Sequence, residues 1–319
     1  MKMGNKRFQA KSKSNKKRFK KSGSKVAPGL NSLGPMDSIP HVCDFAGRCC
    51  WSVGASAKSY SVSGTGLIPF DVWRMIVSPS QPLAKFGIYT TGQLIQENCF
   101  FGLTPDLHMP ACGLKMKHYK GVDDSAKHCP FLVFDENKIS EEQDKILKSG
   151  DLPIEKEFWF DGSSPTFSCG IEDAKPLQCE SFPTGRYVSR LQNGRTRVHL
   201  VCSVDVCRDC MPSLVGKNIG PPVKDYLGHI GVKSHVDLTS QYLSVLDRLR
   251  KENTSDHVRL AVARTLFDFD SLILMQASEN STQEEILKML FEKRPQSPNH
   301  LIQAAMAVMD GFAGKINLE

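Results

Sequence analysis

The sequence predicts an α+β protein in three parts. A disordered basic arm covers residues 1–40, a β-rich sandwich- or barrel-like domain covers 41–230, and a four-helix subdomain covers 231–319. Three observations carry this. Residues 1–25 hold eleven Lys and Arg and no acidic residue. Gly and Pro then punctuate the chain at intervals of roughly ten residues, as strand-connecting turns do. From about residue 231 the apolar period changes from 2 to 3.6, the signature of helices.

The arm is Lys-, Ser-, Gly-, Asn- and Pro-rich, with too little apolar surface to offset the entropy of ordering it. It also decides the electrostatics. The net charge is +7, yet outside residues 1–25 there remain 30 basic against 34 acidic residues, a charge of −4. The sequence pI of 8.8 therefore belongs to the arm, attached to a mildly acidic body.

In the second part, Ser59–Val62, Val72–Val77 and Phe131–Phe134 are short runs of β-formers between turn signals. One helix is expected to interrupt them, Glu141–Lys148, with Ser140 as its cap and Gly150 just past its end. Asn193–Gly194 predicts a hairpin with a two-residue loop, because both turn positions favour φ > 0. That loop pairs Arg190 with Arg197 and Val188 with His199. It gathers Arg186, Arg190, Arg195, Arg197 and His199 on one face.

In the third part, Val236, Leu238, Tyr242, Leu243, Val245, Leu246 and Leu249 form a helical stripe. Thr254–Asp256 caps a second helix running through Leu274. Ser281 with Glu284 forms a capping box for Thr282–Lys293. Ser297 and Pro298 open a fourth helix, His300–Met309, closed by Gly311. Four short helices with short links argue a small bundle that serves as a subunit contact.

Chemistry follows from composition. Hydrophobic residues make up 40% and charged residues 24%, a globular balance, and no run approaches the ~20 apolar residues of a membrane span. The basic, polar N-terminus lacks the apolar core of a secretory signal, so eleven cysteines read as thiols or metal ligands rather than as disulfides. Cys207 and Cys210 have knuckle spacing, and with Cys202 and His199 they form a candidate zinc site. Cys112, His118, His128 and Cys129 form a second, weaker set. No Walker loop, Gly-x-Ser-x-Gly, Gly-x-Gly-x-x-Gly or His-Glu-x-x-His motif is present, and a non-enzyme is expected.

The expected partner is nucleic acid, with RNA favoured. Flexible cations neutralise phosphates and release counterions, and the arm supplies Lys6, Arg7, Lys11, Lys13, Lys16, Lys17, Arg18, Lys20 and Lys21. Arg186, Arg190, Arg195 and Arg197 of the hairpin would add bidentate phosphate contacts. This layout resembles the coat and nucleocapsid proteins of RNA viruses in architecture: a basic arm for the genome, a β-domain, and a surface for self-association. The resemblance implies an RNA-packaging homo-oligomer, located in a virion or in host cytoplasm or nucleus. The alternative is a nuclear protein whose Lys16–Lys21 hexamer directs import and whose zinc-supported β-domain binds a protein. A Cys/His hydrolase is the third reading.

Overall fold

The computed structural model describes residues 65–150, 160–161, 164–165, 167–180, 184–190, 196–202 and 232–316. The basic arm and the run Ser59–Val62 lie outside them. Strand β1 (Gly66–Leu67) leads directly into helix α1 (Pro69–Val77). The run Val72–Val77, read as a strand from its β-branched residues, is therefore helical. Pro69 sets the first helical φ, and the Ile68 N–H donates to Asp71 Oδ2 at 2.9 Å. Val72, Met75 and Ile76, at positions i, i+3 and i+4, then bury one face.

Helix α2 (Thr91–Asn98) is likewise not expected from the sequence, where Gly92 is one of the glycines that punctuate the chain as turn signals. Thr90 and Gln93 form a reciprocal capping box that starts it. Strands β2 (Cys99–Leu103) and β3 (Pro110–Leu114) follow as an antiparallel hairpin. β1 pairs with the other edge of β3, giving a three-stranded sheet in the order β1-β3-β2.

β4 (Lys117–His118) pairs with β5 (Lys127–His128), and β6 (Leu132–Phe134) realises the expected Phe131–Phe134 strand. Helix α3 (Glu141–Ser149) has the expected cap and closing glycine and ends one residue later than expected. The Ser140 hydroxyl accepts from the Gln143 N–H at 3.2 Å, and Gly150 closes the helix at φ 77°. A Cβ at Gly150 would stand 2.6 Å from the Asp124 carbonyl oxygen, so position and conformation both demand glycine.

β7 (Phe160–Asp161) pairs with β8 (Ser164–Pro165), and β9 (Phe167–Cys169) returns to β6. A short α4 (Leu177–Glu180) precedes the hairpin of β10 (Thr184–Arg190) and β11 (Thr196–Cys202). Among the described residues, four of the five sheets have two strands and the fifth has three. They build neither a sandwich nor a closed barrel. The physical reason is that several of the Gly and Pro signals open or sit inside helices instead of joining strands.

The C-terminal part is helical as expected, with different bounds. It comprises α5 (Val232–Lys251), α6 (Asp256–Phe267), α7 (Phe269–Leu274), α8 (Gln283–Lys293) and α9 (Pro298–Ile316). The second expected helix is broken at Asp268 (φ −117°, ψ 44°). The third is capped by Thr282 with Glu285, one residue later than expected. The fourth runs straight through Gly311.

These helices are not a separate bundle in packing terms. Phe267 of α6 meets Phe101 of β2 edge-on at 6.4 Å and Tyr242 of α5 at 5.8 Å. The Tyr242 hydroxyl donates to the Pro110 carbonyl at 2.7 Å. One continuous core therefore joins Leu67, Val72, Leu94 and Leu114 to Val245, Val262, Leu266, Leu301 and Met309. Residue 230 marks a change of sequence period but no break in that core. A smaller core of Tyr119, Ala126, Leu132, Leu147 and Phe167 lies beneath α3.

Candidate nucleic-acid interface

The arm residues Lys6 to Lys21, together with Arg195, Cys207 and Cys210, lie outside the described residues. The hairpin itself is present, with a register one residue away from the expected one. Arg190 faces Thr196, Ser189 faces Arg197, and Tyr187 faces His199. The Arg190–Arg197 pair therefore does not form. The spacing leaves an odd number of residues between the paired ends, which a two-residue loop does not allow. Asn-Gly is also compatible with three-residue hairpin loops, and a one-residue slip moves every side chain to the other face. Positions 186 and 190 share a face with 198 and 200, while positions 197 and 199 share the opposite face. The single arginine face is thus split in two.

The same alternation bears on the first zinc set. Positions 199 and 202 are three residues apart in β11 and stand on opposite faces. The second set does not come together as a metal-ligand group among the described residues. Cys112 sits in the main core against Cys99, and its thiol pKa is pushed well up by that thiol's hydrogen bond and by burial. The His128 Nδ1–H donates to the Cys129 carbonyl at 2.8 Å, since a carbonyl oxygen can only accept. Burial lowers the His128 pKa, opposed by its hydrogen bond to the Cys129 carbonyl. Its ring meets Phe134 edge-on at 5.0 Å. His118 Nδ1 is buried with no hydrogen-bond partner. Among the described residues, no group of three or more His, Cys, Asp or Glu side chains is arranged to hold a metal ion.

The buried carboxylates are structural ties. Asp71 accepts from the Ile68 N–H and, at 2.7 Å, from the Leu177 N–H, fastening α1 to α4. Arg74 adds a two-pronged ion pair with Glu180, at 2.5 and 3.0 Å. Asp270 is saturated by Thr91 and Arg294. Asp268, its pKa raised by burial, accepts from the Thr91 hydroxyl. These groups hold segments together.

A basic feature that the sequence reading missed lies on the three-stranded sheet and the β4–β5 ribbon beside it. The inner face of the sheet is the row Leu67–Cys112–Phe101, packed into the core. The outer face is the row Gly66–Gly113–Phe100, with Gly102 and Ala111 as the next pair. Phe100 is 49% exposed, and the Lys115 ammonium lies over its ring at 5.8 Å. Lys117 and Lys127 follow in the ribbon. None of Lys115, Lys117 and Lys127 forms an ion pair among the described residues, whereas Lys120 and Lys148 are both engaged by Asp144. The signal available in the sequence was the cluster Lys115, Lys117, His118 and Lys120, hidden by the far denser arm.

No helix among the described residues is long and apolar enough to cross a membrane. Comparison with family models, with curated proteins and with solved structures returns no match.

Proposed function

We propose that this chain is a non-enzymatic, self-associating protein that binds and packages nucleic acid, with RNA as the favoured partner. The observation that carries the reading is the charge division: eleven cations and no anion in residues 1–25, against a body at −4. Such an arm neutralises a phosphate backbone with little selectivity, while the body contributes folding and assembly. Full hydrogen bonding of the buried carboxylates supports a binding rather than a catalytic role. Exposed apolar side chains on α8 and just past the end of α7 would supply a surface for contact between copies, as the resemblance to viral coat and nucleocapsid proteins suggests.

The test is deletion of residues 2–25. RNA affinity should fall steeply at moderate salt, and the log–log salt slope should drop by several units, since each phosphate contact contributes about −0.7 on single strands. The circular dichroism spectrum should keep its helical signal, because the described helices all begin at or beyond Pro69. Equal affinity in the deleted protein would overturn the proposal.

A further inference from the structure

The outer face of the β1-β3-β2 sheet presents an unusual combination: one exposed aromatic ring, lysines beside it that form no ion pair among the described residues, and a row of bare positions across from it. Phe100 pairs with Gly113, and Gly113 pairs with Gly66, so two of the three residues in that row carry no side chain. The conformation of these two glycines does not explain them. Neither has a positive φ. A Cβ at Gly66 would meet nothing within 4 Å, and one at Gly113 would make only ordinary contacts, 3.5 Å from the Thr65 carbonyl oxygen and 3.7 Å from the Gly66 Cα.

Glycine inside a strand weakens it, and where local sterics do not require it, it marks a place that something approaches closely. What would approach here is defined by its neighbours. A flat, open shelf beside an aromatic ring suits a planar group stacked on that ring. Lys115, held over one face of the ring and donating to the Gln96 carbonyl at 3.3 Å, places a cation there, so that a base would stack on the ring's other face. Lys117 continues the chain of cations two residues on, whereas Lys127, paired with His118, belongs to the other face of the β4–β5 ribbon. Single-stranded nucleic acid has this alternation of planar base and phosphate, and aromatic platforms flanked by basic residues bind it with little sequence preference. A duplex keeps its bases stacked inside and has nothing to place on Phe100.

The geometry points to this shelf as a second, base-stacking contact for single-stranded RNA: a base lies on Phe100 across Gly113 and Gly66, and the flanking phosphates lie against Lys115 and Lys117. The inference rests on the nucleic-acid reading above and adds a site in the folded body to the electrostatic arm. The two contacts differ in kind. The arm is sensitive to salt and blind to strandedness; the shelf discriminates single strands from duplex.

The experiment uses the full chain with a fluorescein-labelled oligouridylate of about 12 nucleotides and a duplex RNA of similar charge, at a salt concentration that partly screens the arm. Phe100→Ala should weaken oligouridylate binding by about fivefold or more, in line with the worth of one stacked base. Gly113→Ile should do the same by filling the shelf, with a melting temperature equal to or above that of the parent, since a β-branched residue suits a strand better than glycine does. Phe100→Trp should retain or strengthen binding. Duplex affinity should be unchanged in all three. Ultraviolet cross-linking of the parent should attach uridine to the peptide containing Phe100.

If the parent binds both RNAs but the variants bind the oligouridylate equally well, the shelf proposal falls while the arm reading stands. Absence of RNA binding by the parent, even at low salt, would remove both. If Gly113→Ile leaves RNA binding intact but reduces particle size, the shelf is a protein contact and the proposal falls.

Discussion

Arg294 holds Asp270 with two hydrogen bonds, Nε to Oδ1 at 2.9 Å and Nη2 to Oδ2 at 2.8 Å, and the Asp270 carboxylate is fully buried. The Thr91 N–H donates to the same Oδ2 at 2.9 Å, and Arg294 Nη2 also donates to the Tyr89 carbonyl at 2.6 Å. Three separate stretches of chain therefore meet around one carboxylate: residues 89–91 at the start of α2, the start of α7 and the residue that follows α8. Thr91 completes the knot, accepting from the Asp270 N–H at 3.0 Å and donating to Asp268 at 3.1 Å.

Removing Arg294 should accordingly be among the most damaging single changes. A buried charge that loses its partner typically costs about 3–5 kcal/mol, far more than a surface pair is worth. Arg294→Ala is expected to destabilise by that amount in urea unfolding followed by circular dichroism. Arg294→Lys should fall between the two, because an ammonium keeps the charge but not the planar fork. A loss under about 1 kcal/mol for Arg294→Ala would show that α8 is not anchored through this pair.

Local signals were legible in the sequence where they were short-range and sufficient. Ser140 and Gly150 bracket α3 because a cap hydroxyl and a left-handed glycine act within one turn of the helix. The helical period after residue 231 survives in α5, α6, α8 and α9 for the same reason. What stayed hidden depended on distant partners. Gly92 reads as a turn, but a Cβ there would come within 3.0 Å of the Ser271 hydroxyl, so it is better explained by close approach of α7. The break at Asp268 takes a carboxylate out of the helix to meet Thr91, 177 residues earlier. The hairpin register was misjudged because Asn-Gly supports more than one loop length. The shelf at Phe100 escaped notice because it needs the register of three strands, which no single stretch of sequence contains.

The stability of the protein should fall on mild acidification through His128. The order of effects is burial first, opposed by donation to the Cys129 carbonyl, then the nearby Lys117 and His118, both of which further disfavour protonation. The folded-state pKa is therefore below the ordinary value of 6.5. Above that value His128 is neutral in both states and contributes no pH dependence. As the pH falls below 6.5 the unfolded chain takes up a proton that the folded ring resists, and stability drops until the folded pKa is reached. His128→Asn, whose side-chain amide can still donate to the Cys129 carbonyl, should lessen the loss of stability as the pH falls below about 6.5, relative to the parent. Identical pH profiles for parent and variant would place the acid sensitivity elsewhere.

Assembly should depend on the outer face of α8. Leu287 and Phe291 lie one turn apart and are 49% and 82% exposed, while Leu290 between them is 1% exposed and fixes the helix to the body. Met275, 77% exposed, ends α7 nearby, where Lys293 of α8 donates to Gln276 at 3.0 Å. Large apolar side chains grouped on two packed helices are costly to leave in water, and a second copy burying the same group would relieve that cost for both partners. Phe291→Glu tests this without touching the core, because the Phe291 ring is already in solvent and Glu is the better helix former. The melting temperature measured on dilute protein should be unchanged. The hydrodynamic radius by light scattering should fall from that of an oligomer to that of a single chain, with or without added RNA. If Phe291→Glu assembles like the parent, α8 is not the contact between copies, and self-association must be sought on another surface.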